Sequence, residues 1–211
     1  GKIKDGTVSN LHTQRIRRWT MASLFAAIIA AGAFISIPLP FSPVPITLQN
    51  LFVILAGLVT GPLTGTLAVA VFLTAGALGA PVFSGMRGGM TVKAGPTGGF
   101  LAGYLLAAFL AGLIAKKPDS RDFSQSRFQR GRRIACAVLI SFMSMYIPGL
   151  LRLHAVIHPQ AFLQSLGSGW IRTLSAGFFP FIPGMIIKML VAVPVAMRLR
   201  RFIVHTDDAD E

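Results

Sequence analysis

Residues 100–151 read FLAGYLLAAFLAGLIA (Phe100–Ala115), KKPDSRDFSQSRFQRGRR (Lys116–Arg133) and IACAVLISFMSMYIPGLL (Ile134–Leu151). Two uncharged apolar runs flank a basic, polar linker. At a rise of 1.5 Å per residue each run reaches roughly 24–27 Å as a helix, close to the hydrocarbon thickness of a bilayer. Apolar spans joined by a Lys/Arg-rich loop are the pattern of membrane helices whose linker stays in the cytoplasm.

The same reading extends outward to both ends. Residues 1–19 form a basic arm. Thr20–Ile37 is a first candidate span, too long and too closely followed by others for a secretory signal. Pro38, Pro40, Pro43 and Pro45 impose an extended, kinked segment. Ile46–Val59 and Leu63–Leu78 are apolar helices separated by a turn at Gly61-Pro62. Gly79–Gly99 is a Gly-rich loop or re-entrant segment. Beyond Leu151, Arg152–Gly169 is mixed and includes a short surface helix. Ile182–Met197 is the last span, with Pro180 and Pro183 near its start. The expectation is an all-α membrane protein. One six-helix bundle fills residues 20–200, and an acidic tail follows over 201–211. Hydrophobic residues make up 53% of the 211 and charged ones 13%, with a mean hydropathy of +0.66, which excludes a soluble enzyme.

Charge sets the expected orientation. The net charge of +13 comes from basic blocks at Lys2–Arg18, Lys116–Arg133 and Arg198–Arg201. Six spans with both termini inside put all three blocks in the cytoplasm and the sparsely charged segments 38–45, 79–99 and 152–172 outside. The blocks lack aromatic interleaving or a recognisable module, so nucleic acid is not an expected partner. Trp19 and Trp170 read as interface anchors. Ala22, Ala26 and Ala30 on the first helix, with Ala27 and Ala31 beside them, allow close approach of another helix. That helix belongs to the same bundle or to a partner.

This topology gathers the Pro-rich segment, the Gly-rich segment and the start of the last span on one side. Irregular backbone near membrane depth survives where it lines a cavity or packs in protein. The polar candidates for an outward-facing pocket are Thr47, Gln49, Asn50, Arg87, Lys93, Thr97 and Lys188. Cations and neutral hydrogen-bonding groups suit a ligand with a carboxylate and an amide or urea group. Gly88 and Gly89 beside Arg87 permit close backbone approach. Each candidate has a second reading. Arg87, Lys93 and Lys188 could snorkel to lipid headgroups, and Thr47 and Gln49 could cap the following helix. Phe178, Phe179 and Phe181 could line the pocket or pack elsewhere.

Several chemistries are excluded. The carboxylates are Asp5, Asp119, Asp122, Asp207, Asp208, Asp210 and Glu211, none inside a span, which leaves no proton relay or acid/base pair there. Gly61-Pro-Leu-Thr-Gly-Thr and Gly95-Pro-Thr-Gly-Gly lack the Gly-Lys-Ser/Thr of an ATP-binding loop. Cys136 has no partner and reads as a small buried hydrophobe. His154 and His158 lack a third metal ligand and read as wet, interfacial groups. Neither a metal nor a cofactor is expected, and the chain reads as a non-enzyme.

Three stretches resemble the BioY family, the biotin-binding S components of bacterial energy-coupling factor (ECF) transporters. They are Pro43-Val-Pro-Ile-Thr-Leu-Gln-Asn50, Gly79-Ala-Pro-Val-Phe-Ser-Gly-Met-Arg-Gly-Gly89 leading to Gly95-Pro-Thr-Gly-Gly-Phe100, and Phe179-Pro-Phe-Ile-Pro-Gly184 with Lys188. The resemblance covers about residues 20–200. It implies a six-helix S-component fold in the bacterial cell membrane. It also implies biotin as ligand, and as partners a transmembrane T component and two ATP-binding cassette subunits. It implies that Arg87 meets the valerate carboxylate, that Asn50 and Gln49 lie near the pocket, and that Ala22, Ala26 and Ala30 face the T component. Two positions depart from the family pattern: Met185 stands where Asp is usual, and Arg152 where Trp is usual. Met cannot accept hydrogen bonds from ureido N–H groups as a carboxylate does, and one lost partner in a buried site costs roughly 1–3 kcal/mol. The competing functions are an S component for another small carboxylate and a membrane assembly protein without transport activity.

Overall fold

A computed structural model describes residues 2–116, 126–158 and 169–207. Helix α1 (Lys2–Ala31) leads into an antiparallel ribbon of β1 (Ser36–Leu39) and β2 (Ser42–Thr47). Then follow α2 (Gln49–Thr60), α3 (Pro62–Ala77), the short α4 (Met90–Ala94), α5 (Gly98–Ala115) and α6 (Arg127–Ile157). Helix α7 (Trp170–Gly177) and a 3-10 turn at Phe179–Phe181 precede α8 (Ile182–Asp207).

The fold is mainly helical, but the ribbon departs from an all-α chain. The prolines that bar a helix over 38–45 are tolerated on edge strands. Ser36 pairs with Thr47 and Ile37 with Ile46, and the register slips between Ile37 and Leu39, where Pro38 lacks an N–H. The first helix therefore ends at Ala31, short of the expected Ile37. Helix α6 begins at Arg127, earlier than Ile134, because the Ser126 hydroxyl accepts from Gln129 N–H at 3.2 Å. Gly61, at φ 86°, makes the expected turn, and Pro62 opens α3 at the position where its missing N–H costs nothing.

By length and composition, Gly98–Ala115, Arg127–Ile157 and the run Trp170–Ile203 can cross a membrane. Helices α2 and α3 are apolar but have 12 and 16 residues. The surface helix expected within 152–169 falls partly on residues 159–168, outside the described residues. So do 117–125 of the basic linker and 208–211 of the tail.

Small residues bring the helices together. A Cβ on Gly57 would overlap the Ala108 carbonyl, joining α2 to α5, and one on Gly103 would lie 2.7 Å from the Met145 carbonyl on α6. Ala22 is fully buried and Ala26 nearly so in this chain's own core, and Ala30 packs against it. The stripe thus packs within the chain itself. The exposed face of α1 carries Ser23, Ala27 and Ala31 at the same four-residue spacing.

Two ends of the bundle are distinct. At one end Arg200, 1% exposed, donates Nη1 to the Leu58 carbonyl at 2.6 Å and Nη2 to the Ala115 carbonyl at 3.0 Å. It draws the C-terminal ends of α2, α5 and α8 together, serving carbonyls that have no partner within their helices. The block Arg198–Arg201, expected as a simple cytoplasmic flank, thus contains a buried structural arginine. At the other end lie the ribbon, α4 and α7. There His154 is buried, with Nδ1 2.8 Å from Thr173 Oγ1 and its ring stacked on Trp170 at 4.5 Å. That corrects the wet position expected for His154, while Trp170, half-buried, takes its place against the His154 ring. Cys136, expected to be buried, is exposed on α6.

Candidate substrate-binding site

A cavity of about 370 Å3, counting the open volume at its mouth, lies at the ribbon end. Val44, Pro45 and Thr47 of β2, the 83–87 loop, Val92 and Thr97 around α4, and Phe100, Leu101 and Tyr104 of α5 surround it. Its lining has the mix of apolar wall and few polar groups usual in small-molecule sites.

The 79–89 loop is built for close approach. Phe83 N–H donates to the Arg87 carbonyl at 2.9 Å, and Arg87 N–H to the Phe83 carbonyl at 3.3 Å, closing a small turn. Gly85 and Gly89 have φ of 72° and 91°, a region natural to glycine. A Cβ on Gly88 would overlap the Ala80 carbonyl, so the loop folds back on itself only with glycine there. Phe83 is the loop's anchor, buried edge-on against Phe72 at 5.5 Å. The Ser36 and Ser84 hydroxyls, 2.8 Å apart, tie the ribbon to the loop.

Arg87 is exposed at the mouth. Its Nε donates to the Ser84 carbonyl at 3.1 Å, which orients the guanidinium. Among the described residues its two Nη groups meet no acceptor, so they are available to an anion. Deeper in, Tyr104 is buried and lines the cavity together with Thr47.

Lys188 reaches from α8 to the base of the ribbon. Its ammonium donates to the Thr47 carbonyl at 2.5 Å and to Asn50 Oδ1 at 2.8 Å. Lys188 is buried, so its charge is held by oxygens at the start of α2 rather than snorkelling outward. Gln49, 1% exposed, donates Nε2 to the Val82 carbonyl at 2.8 Å. It braces the loop that carries Arg87.

Residues 6–205 match the model of the BioY family.

This chain belongs to the BioY family.

It is 37% identical over 186 residues to the biotin transporter BioY of Thermotoga maritima, covering 88% of this chain and 97% of that one. It is 39% identical over 198 residues to the biotin transporter BioY of Rhodobacter capsulatus, covering 88% and 94%. A crystal structure at 2.1 Å of the S-component for biotin from an ECF-type ABC transporter superposes with a TM-score of 0.69. Its sequence identity is 32%, and the match covers 90% of this chain and 93% of that one.

Within this BioY-family chain the residues singled out from sequence fall into two groups. Thr47, Gln49, Arg87 and Thr97 line the cavity, with Gly88 and Gly89 shaping the loop beside Arg87. Asn50 and Lys188 stand behind that wall, bonded to each other. Met185 is half-buried and packs against the core outside the cavity lining. The side chain of Lys93 is outside the described residues. Arg152 is exposed and donates to the Ala94 carbonyl of α4. Phe178 packs edge-on against Tyr146 at 5.2 Å, Phe181 is buried and Phe179 is exposed.

Sequence reasoning missed Ser84, Tyr104 and the apolar walls Phe83 and Phe100. Tyr104 carried a signal: it is one of two tyrosines in the chain and sits inside an uncharged span, where a buried hydroxyl needs a partner. Ser84 carried none, since its role depends on Ser36, 48 residues away.

Proposed function

We propose that this chain captures biotin on the outer side of the bacterial plasma membrane and delivers it through an ATP-driven ECF module. The observation that carries the reading is the cavity itself. It has a guanidinium with open donors at its mouth, apolar walls of Val44, Phe83, Phe100 and Leu101, and the polar side chains of Thr47 and Tyr104 in its lining. Biotin has the matching order of groups: a terminal carboxylate, a methylene chain with an apolar ring, and a ureido edge. Arg87 grips the carboxylate, the walls take the chain and ring, and the ureido edge meets Thr47 and Tyr104. Gln49, Asn50 and Lys188 hold those walls in place. The relationship to chains named as biotin transporters supports the same ligand.

The membrane arrangement in this reading is six spans with both termini inside. The gathering of Leu58, Ala115 and Arg200 at the end next to Lys116, Arg198 and Arg201 supports it, because these flanks then share the cytoplasmic side. With no ATP-binding loop in the chain, the energy comes from partner ATPases. The small-residue face Ser23, Ala27 and Ala31 is the surface offered to the T component, in place of the buried Ala22 and Ala26.

Uptake of labelled biotin into cells lacking their own biotin transporter tests this. Cells expressing the chain with T component and ATPases are expected to concentrate biotin. The double variant Ala27→Leu/Ala31→Leu is expected to lose uptake while still binding biotin. No uptake by the complete system would defeat the reading.

A further inference from the structure

The cavity wall includes one segment held at two points. Residues 89–97 run from Gly89 through α4 to Thr97, and both Val92 and Thr97 line the cavity. Among the described residues, two hydrogen bonds tie this segment to distant parts of the chain. At its start the Gly89 N–H donates to the Gly76 carbonyl at 2.7 Å, a backbone bond that a side-chain change leaves in place. Near its end Arg152 Nη2 donates to the carbonyl of Ala94, the last residue of α4. A helix's final carbonyls lack partners of their own and favour a cation.

Arg152 is set on a firm base. It stands on α6 one turn beyond Pro148, where α5 and α6 are pressed together. A Cβ on Gly99 would overlap the Pro148 carbonyl and lie 2.5 Å from Arg152 Cβ. The Phe100 ring occupies the space a Cβ on Gly149 would need. The backbone of Arg152 therefore has little freedom, while its side chain and Ala94 are both exposed. Such a bond contributes little to the core but fixes where the end of α4 lies.

We infer that Arg152 is a positioning residue for ligand retention: it pins the C-terminal end of α4 so that Val92 and Thr97 stay closed over the cavity. This rests on the reading of the cavity as the biotin site. Without the pin, residues 89–97 remain attached at Gly89 and, through Thr97, to α5, and the end of α4 between them moves outward. The fold persists, and bound ligand leaves faster. The arrival rate changes less, because the mouth at Arg87 is formed by a different loop.

Hydrogen–deuterium exchange on the ligand-free full chain in nanodiscs reads the pin directly. Arg152→Ala is expected to speed amide exchange across 89–97 about tenfold and leave the core of α5 and α6 unchanged. Arg172→Ala removes another exposed arginine at the same end and is expected to match the wild type. Biotin dissociation from Arg152→Ala is expected to be about tenfold faster, with the association rate within about threefold of wild type. Unchanged exchange over 89–97 overturns the inference, and so does loosened exchange with an unchanged dissociation rate. A wild type that binds no biotin would sink the proposed ligand, while the exchange data would still decide whether Arg152 holds α4.

Discussion

Gln49 shows how much of a side chain's setting a linear reading leaves out. Next to Pro45 and at the start of an apolar helix, it reads as a cap or a ligand. In the fold it lines the cavity and is also a buried strut whose amide holds the Val82 carbonyl, 33 residues away. A polar side chain at a helix start advertises its need for a partner, but a partner that distant is invisible in a linear reading. Lys188 is similar: its burial and its oxygens at Thr47 and Asn50 arise only when α8 meets the ribbon. Arg87 was legible because its glycine neighbours and the absence of nearby carboxylates mark it locally. Gln49→Met keeps the volume and removes the strut. It is expected to weaken biotin binding about tenfold, the equivalent of roughly 1.4 kcal/mol for one buried hydrogen bond. Isothermal titration beside wild type checks this, and unchanged affinity would show that the loop holds its place without Gln49.

At the level of elements, apolar runs located the helices because a continuous uncharged stretch has few other fates. The boundaries were less visible. Ser126 starts α6 within the polar linker, where sequence offers many equivalent serines and charges. The Pro-rich stretch was legible as extended, yet its pairing into a ribbon depends on a register that prolines only partly fix. The least legible element contact is Arg200. Its position in a basic block gave it the look of a topology signal, and only the convergence of α2, α5 and α8 makes it a clamp. Arg200→Ala leaves the Leu58 and Ala115 carbonyls without that donor. It is expected to destabilise the chain by about 2–4 kcal/mol, from two hydrogen bonds to a charged group. Thermal unfolding in detergent should show a clear fall in Tm, and Arg198→Ala, an exposed neighbour, should not. An unchanged Tm for Arg200→Ala would remove the clamp from the account.

For the whole molecule, the proposed orientation rests on charge distribution and the ligand on the family relationship; the cavity needed the fold. Two stretches far apart in the chain, 44–49 and 83–104, close on one space. They share one end of the bundle, and that Tyr104 and Thr47 border the same space is visible only after α5 packs beside the ribbon. The central claim is that this space holds biotin with its carboxylate on Arg87. Equilibrium binding of biotin to the purified chain in nanodiscs, beside Arg87→Ala, tests it most directly. Tight binding by the wild type is expected, with a loss of roughly ten- to a hundredfold in Arg87→Ala, as for one charge-assisted hydrogen-bonded contact. Equal affinity of the two chains, or a well-folded wild type that does not bind biotin, would contradict the account.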